Sequence, residues 1–311
     1  MTGGAGFIGS HVADAYLGAG FRVTVLDDLS RGRLENVPRA SEFVRADVRS
    51  LNARRLIEEK RFSIVNHHAA QIDVRRSLQD PQADAAVNLD GFLNILEAVR
   101  KANVRFIFAS SGGAIYADGG ALPHPETAAK FPTSPYGVAK LAAEHYLAAL
   151  GLSDGIDALS LRYSNVYGPR QDPEGEGGVV AIFADQAIDG RPLQIFGDGE
   201  QTRDLVYVTD VAAANLAASR APAPVVRDLD SRAFNVGTGS ETSINQLAWL
   251  VQRALGGRTE IRFGEQRRGE VRQSAISPAK AQQQLGWTPR TALADGLNLT
   301  IGWLRSRLKG L

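Results

Sequence analysis

The sequence predicts a doubly wound α/β fold on a parallel Rossmann sheet, with a second, smaller α+β lobe. Three observations carry that prediction. Apolar, β-branched segments alternate with helical patterns through the first half of the chain. A glycine-rich turn stands at the start, where such a sheet receives a nucleotide. After Gly168-Pro169 the character changes to a loop rich in glycine, proline and acids, Gln171 to Gly178, followed by shorter elements.

The turn is Thr2-Gly-Gly-Ala-Gly-Phe-Ile-Gly9. Gly3, Gly6 and Gly9 read as GxxGxxG, and Gly4, Gly6 and Gly9 also satisfy GxGxxG. Glycine tolerates positive φ and has no Cβ, so bare N–H groups can approach a pyrophosphate at a helix N-terminus. A helical pattern from His11 to Leu17 follows, then Gly18 and Gly20, then a strand from Phe21 to Asp27 that ends in a carboxylate. Asp27 lies eighteen residues beyond Gly9, near the spacing at which an acid accepts hydrogen bonds from a ribose. Its charge would repel a 2′-phosphate, which favours NAD over NADP. Arg31 and Arg33 read as a solvated loop. Only Met1 and Thr2 precede Gly3, so the strand expected ahead of the turn lies upstream, or the sheet lacks most of a central strand.

Further elements are expected in order. A strand near Glu42 to Val48 is followed by a helix near Leu51 to Lys60 and a strand near Phe62 to Asn66. A long helical pattern from about Pro81 to Ala102 leads to the strand Arg105 to Ala109, a helix from about Pro135 to Leu150, and a strand from Asp157 to Arg162. Arg220 to Ser231 reads as an exposed loop. The short strand Leu193 to Phe196, a strand and glycine turn at Phe234 to Gly239, and helices at Ser243 to Leu255, Pro278 to Leu285 and Thr291 to Leu308 complete the chain. The expected domains are 1–165 for the dinucleotide, with 205–237 partly returning to it, and 166–311 for the substrate.

At 311 residues, 44% hydrophobic and 22% charged, the chain can bury a large core. A net charge of +1 makes no case for nucleic acid or an anionic membrane. The absence of cysteine excludes disulfides, thiolate catalysis and cysteine-based zinc sites. No apolar run reaches the roughly 18 residues of a membrane span and no basic targeting segment opens the chain, so the cytoplasm is expected.

The chemistry centres on Ser134-Pro-Tyr-Gly-Val-Ala-Lys140. Tyr136 and Lys140 stand four apart at a helix start and share one face, about 6 Å apart along the axis. A phenol is a poor base at neutral pH; an adjacent ammonium, helped by a positive nicotinamide, stabilises the phenolate and makes it a proton acceptor. Ser110 and Ser111 end a strand at the sheet edge where α/β sites assemble, and a hydroxyl there could hold or pass the substrate proton. Capping a turn is the alternative task, and Ser111 is favoured over Ser110. His67 and His68 cannot both face one metal, since strand neighbours point oppositely, so no metal site is expected.

These segments together resemble the extended short-chain dehydrogenase/reductases, and within them the UDP-glucose 4-epimerases, over essentially the whole chain. The matching stretches include the glycine turn, Leu26-Asp-Asp28, Asn66-His-His-Ala-Ala70, Leu161-Arg-Tyr-Ser-Asn-Val-Tyr-Gly-Pro169, Arg203-Asp204, Asn235-Val-Gly-Thr-Gly239 and Arg267-Arg-Gly-Glu270. The resemblance implies NAD held by Gly3, Gly6, Phe7, Ile8, Gly9, Asp27, Asp28, Asp47, Val48, Ala69, Ala70, Asn88, Ser110, Tyr136, Lys140 and Tyr163. It implies a UDP-sugar held by Asn165, Val179, Ile195, Phe196, Arg203, Arg267 and Glu270, with Ser274 lining the C2 side of the hexose, where serine leaves room for an N-acetyl group. It further implies a homodimer built on the helices near 81–102 and 135–150. Departures are Gly112-Gly113 after Ser111, which puts in doubt which serine handles the proton, and Ser164, Leu205 and Glu270 in place of commoner residues. A 4,6-dehydratase would carry Thr-Asp-Glu at that strand end, and Gly112-Gly113 supplies no acid. UDP-glucuronate epimerase or decarboxylase activity stays open, and an NAD-sensing protein would lack the Tyr/Lys pair.

Overall fold

The computed structural model describes residues 1–174, 178–222, 225–257, 259–266 and 271–309. Helix α1 (Phe7–Gly18) springs from the glycine turn and leads through Gly20, at φ +86°, into β1 (Thr24–Asp27). β2 (Glu42–Arg45) and α2 (Leu51–Lys60) follow; the Ser50 side chain caps α2 by accepting from Ala53 N, and Arg61 ends it in the left-handed region. β3 (Ile64–His67) precedes α3 (Val74–Gln79), α4 (Pro81–Ala85), one wide π turn at Ala86–Gly91, and α5 (Phe92–Ala102). The helical run expected over 81–102 is present, with a bulge inside it.

Next come β4 (Arg105–Ser111), the single turn α6 (Gly112–Ile115), α7 (Pro135–Ser153), β5 (Ala158–Tyr163) and β6 (Asn165–Tyr167). α7 begins as its sequence dictates: Ser134 Oγ accepts from Gly137 N, and Pro135 occupies the first turn, where no N–H is needed. The second half comprises α8 (Val179–Ile188), β7 (Leu193–Phe196), β8 (Thr202–Arg203), β9 (Leu205–Tyr207), α9 (Val208–Arg220), β10 (Ala233–Val236) and β11 (Thr242–Ser243). It ends with α10 (Ile244–Leu255), β12 (Ile261–Gly264), α11 (Ala279–Leu285) and α12 (Leu293–Lys309).

The main sheet is parallel, ordered β10-β5-β4-β3 on one side and β1-β2 on the other. Thr2 joins the halves by bridging to both Leu26 and His67. Its N–H donates to Asn66 O (3.0 Å) and its C=O accepts from His68 N (3.1 Å), while Leu26 N donates to Met1 O (2.8 Å). Met1 and Thr2 thus tie the glycine turn to both halves of the sheet.

One face of the sheet packs Val65, Phe106 and Phe108 against Phe92, Ile95 and Leu96 of α5 and Ala143 and Leu147 of α7. The other packs Ile107, Leu159, Leu161, Phe234 and Val236 against Val211, Ala214 and Ala218 of α9, with Ala281 and Trp287. Segment 208–236 therefore returns to the main sheet, and 279–287 follows it. A separate core of Val180, Phe183, Leu193, Ile195, Leu247 and Val251 fills the second lobe.

Candidate active site

The glycine turn has the close contacts that its sequence anticipates. Gly3 sits at φ +67°, and a Cβ there would lie 2.5 Å from Ala69 N; one on Gly9 would lie 2.2 Å from Gly3 O. No side chain fits either place, so β3's end and the start of α1 close directly on the turn. Gly6 caps α1 with no side-chain bond, leaving the N-terminal N–H groups directed outward from the positive helix end. A dinucleotide pyrophosphate fits this cradle. Asp27 ends β1 beside it and is buried. Its Oδ2 accepts from Ala5 N (3.0 Å) and its Oδ1 from Leu29 N (2.9 Å), so the carboxylate also locks the turn to the sheet. Burial pushes its carboxyl above the usual range, and the two N–H donors pull it back. Arg33 pairs with Asp172 at 3.0 Å, so its guanidinium is engaged by the protein's own carboxylate.

Tyr136 and Lys140 meet as their spacing requires. The Lys140 Nζ lies 5.9 Å from the Tyr136 ring centroid and 4.8 Å from that of Phe108, and it donates to Ala109 O at 2.9 Å. Lys140 is 3% exposed, and burial brings its ammonium down to about 8, against the opposing pull of Asp84 and Glu144. Tyr136 is half-buried at the opening of α7.

The two serines separate. Ser110 is buried, and its hydroxyl donates to Glu144 Oε1 at 2.5 Å. Glu144, one turn beyond Lys140, is in turn gripped by Arg162, whose Nη2 lies 2.6 Å from Oε2. Arg162 also reaches Asp230 (2.7 Å), Tyr116 Oη and Glu126 O. Ser110 is thereby structural, whereas Ser111 is half-buried, and its side chain does not cap the turn that follows. Gly112 has a physical reason: a Cβ there would lie 2.6 Å from Ile276 Cδ1, so Ile276 fills the space that a larger residue would need.

The remaining expected cofactor residues divide by exposure. Phe7, Gly9, Val48 and Asn88 are buried, Gly6, Ile8, Asp47, Ala69 and Ala70 are half-buried, and Asp28 is exposed. Asp47 binds Arg49 through both oxygens, which holds its carboxyl below the ordinary range. The Asn88 amide is spent on protein: Nδ2 donates to Gln71 O (2.8 Å) and Asp84 Oδ1 (2.9 Å), and Oδ1 accepts from Gln71 N (2.9 Å). It shapes the loop after β3. Tyr163 likewise faces inward, its Oη bonded to His68 Nε2 (3.0 Å) and Asn215. His67 stacks on Phe108 and His68 on Tyr163; burial holds the His68 imidazole down at about 3 and that of His67 well below its ordinary value. Among the described residues no acidic and histidine group could hold a metal.

On the substrate side, Asn165 is exposed at the start of β6, with its Oδ1 3.9 Å from where a Gly113 Cβ would stand. Arg203 Nη1 donates to Thr202 O and Val271 O. Val179, Phe196 and Ser274 are half-buried, but Ile195 is fully buried in the lobe's core, so its side chain packs instead of lining a site. Arg267 and Glu270 lie outside the described residues. Asp204, an assignment that sequence reasoning missed, is fully buried and accepts from Thr238 N and Oγ1, Gly239 N and Ile276 N, pinning the turn after β10 against the segment that carries Ser274. Its signal was its position between Arg203 and the Gly-Thr-Gly turn.

Comparison with known proteins agrees with this geometry. The family model described as NAD dependent epimerase/dehydratase family matches residues 1–237. The UDP-glucose 4-epimerase of Mycolicibacterium smegmatis is 42% identical over 313 residues, 99% of this chain and 98% of that protein. The crystal structure of the Thermotoga maritima UDP-glucose 4-epimerase with UDP-glucose superposes with a TM-score of 0.94 at 44% identity, covering 99% of this chain and 98% of that one. The Thermus thermophilus UDP-glucose 4-epimerase in complex with NAD gives 0.89 at 42% identity, covering 98% and 97%. With its glycine cradle, its strand-end acid and its Tyr/Lys helix in place, this chain belongs to the NAD dependent epimerase/dehydratase family of extended short-chain dehydrogenases/reductases.

Proposed function

We propose that this enzyme inverts C4 of a UDP-hexose, interconverting UDP-glucose and UDP-galactose, with NAD retained through the cycle. The observation that carries the reading is the buried Lys140 ammonium beside the Tyr136 ring and against Ala109 O near the C-terminal end of β4. When bound, NAD supplies transient oxidation of the sugar carbon and its reversal. Tyr136 Oη takes the proton of the 4-hydroxyl and returns it; Lys140 stabilises the phenolate and is held in place by Ala109 O. Ser111, the hydroxyl left uncommitted to Glu144, orients the 4-oxygen.

Residues 1–165, with 205–237 returning, form the cofactor lobe, and the rest holds the nucleotide sugar. Asn165 and Arg203, with Arg267 and Glu270 assigned from the family resemblance, grip the diphosphate, since a guanidinium's planar fork matches phosphate oxygens. A firm grip on UDP and a loose one on the hexose lets the keto sugar present either face. Ser274 leaves room at C2 for an acetamido group. The enzyme works in the cytoplasm as a homodimer, a reading supported by the cysteine-free sequence and by exposed apolar side chains on α7. Among the described residues no helix is long and apolar enough to cross a membrane.

Incubation with UDP-galactose, UDP-glucose, UDP-N-acetylglucosamine and UDP-glucuronate separately, with products resolved by anion exchange, tests the reading. Formation of the C4 epimer from the first two is expected. Conversion of UDP-glucuronate alone would replace this reading with its acidic-sugar rival.

A further inference from the structure

Arg33 is rooted beside the strand-end acid. Its N–H donates to Ala5 O (3.0 Å) in the glycine turn, and Ala5 N donates in turn to Asp27 Oδ2 (3.0 Å). Gly32 is wedged against the same two residues: a Cβ there would lie 2.8 Å from both Asp27 Oδ1 and Ala5 Cβ. An arginine so placed is suited to a phosphate on the ribose, because its planar fork meets two oxygens at once. Left to itself, Arg33 would offset the charge of Asp27 and admit a 2′-phosphate.

Arg33 is not left to itself. Asp172, in the loop after β6, accepts from Arg33 Nη2 through Oδ2 at 3.0 Å, and Glu35 lies 3.9 Å from Nη1. Glu35 also faces Arg307 of α12 at 3.7 Å, so its charge is shared, whereas Asp172 makes the hydrogen bond. The approach of Asp172 is fixed by the residues ahead of it. Pro169 O accepts from His11 Nε2 (2.9 Å), Arg170, at φ +70°, pairs with Asp14 (2.8 Å), and Gln171 is buried with Nε2 donating to Val166 O (3.1 Å). Three consecutive residues are anchored before the chain reaches Asp172, two of them on α1, the helix that opens from the glycine turn. The pair itself, with side chains 41% and 32% exposed, adds little to folding. Its consequence is local: it occupies the arginine rooted beside Asp27.

We propose that Asp172 is a specificity residue for the cofactor: by engaging Arg33 it withholds the cation that a 2′-phosphate would need, and so completes the choice of NAD over NADP that Asp27 begins. The assignment rests on the adenosine ribose lying at Asp27, as read above, and holds whichever sugar nucleotide the enzyme converts.

The test reads bound cofactor, not turnover. The NAD-loaded enzyme is exchanged against equimolar NAD and NADP until the bound ratio is constant, freed of unbound cofactor by gel filtration, and extracted for liquid chromatography. Asp172→Asn is expected to raise the NADP-to-NAD ratio by about tenfold, the worth of one charge-assisted hydrogen bond. Asp172→Glu should keep the parent's ratio, and Asp172→Asn combined with Arg33→Gln should return to it. An unchanged ratio in Asp172→Asn overturns the proposal, as does a gain that survives the loss of Arg33, which would make Asp172 a direct repellent of the phosphate. Asp27→Asn tells the failures apart. If it admits NADP while Asp172→Asn does not, the ribose lies at Asp27 and only the role of Asp172 falls; if neither admits it, the ribose placement falls as well.

Discussion

Tyr136 is where the chemistry is most exposed to test. Tyr136→Phe removes one oxygen and leaves the ring against Lys140, so NAD content should be retained while kcat falls by about 10²- to 10⁴-fold, the usual worth of a positioned acid-base group. Turnover within tenfold of the parent would refute the assignment. Lys140 should set the pH dependence. Because burial lowers its midpoint to about 8, the ammonium is present below that pH and lost above it, and kcat should decline as pH rises through about 8. The serines should split: Ser110→Ala loses a charge-assisted bond to Glu144 worth about 1 to 3 kcal/mol and lowers Tm with turnover largely kept, whereas Ser111→Ala lowers kcat and leaves Tm alone. The reverse pattern would exchange their roles. At Ser274, tyrosine should cut activity on a UDP-N-acetylhexosamine far more than on UDP-galactose; equal losses would show that the position does not set specificity. Residue types and spacing made Tyr136, Lys140 and the glycines legible in the sequence. They could not show which serine is free, because Glu144 lies 34 residues from Ser110 and meets it only when α7 packs on β4.

Elements with a clear period were readable, α2, α10 and the strands of the main sheet among them, and α7 falls where its Ser134-Pro135 start puts it. Helix α9 was not foreseen, since Val208–Arg220 is alanine-rich and buried on several sides, which erases the stripe that marks an amphipathic helix. The π turn was hidden for a similar reason, since one extra residue per turn leaves composition unchanged.

At the scale of the whole molecule, the surplus of apolar residues on the two long helices resolves into two sets. Leu96 and Leu147 are buried in the main core, while Val138, Tyr146 and Leu152 of α7 are exposed, with Leu89, Leu93 and Leu141 half-buried. That outward face should pair across a two-fold axis, and Val138→Glu with Leu152→Glu should turn a dimer into a monomer by light scattering at micromolar concentration. A parent chain that is already monomeric would refute it. By itself the sequence determined the α/β class, the nucleotide cradle, the strand-end acid and the Tyr/Lys pair, because each depends on local spacing or on backbone freedom within a few residues. Only the tertiary structure decided that Thr2 bridges the two halves of the sheet, that Ser110 and Arg162 are bound to Glu144, and that Asn88 serves the loop after β3. Those outcomes depend on contacts between side chains far apart in sequence, and burial makes them strong: in the low-dielectric interior an unpaired charge or polar group is too costly to leave alone, so packing selects its partners.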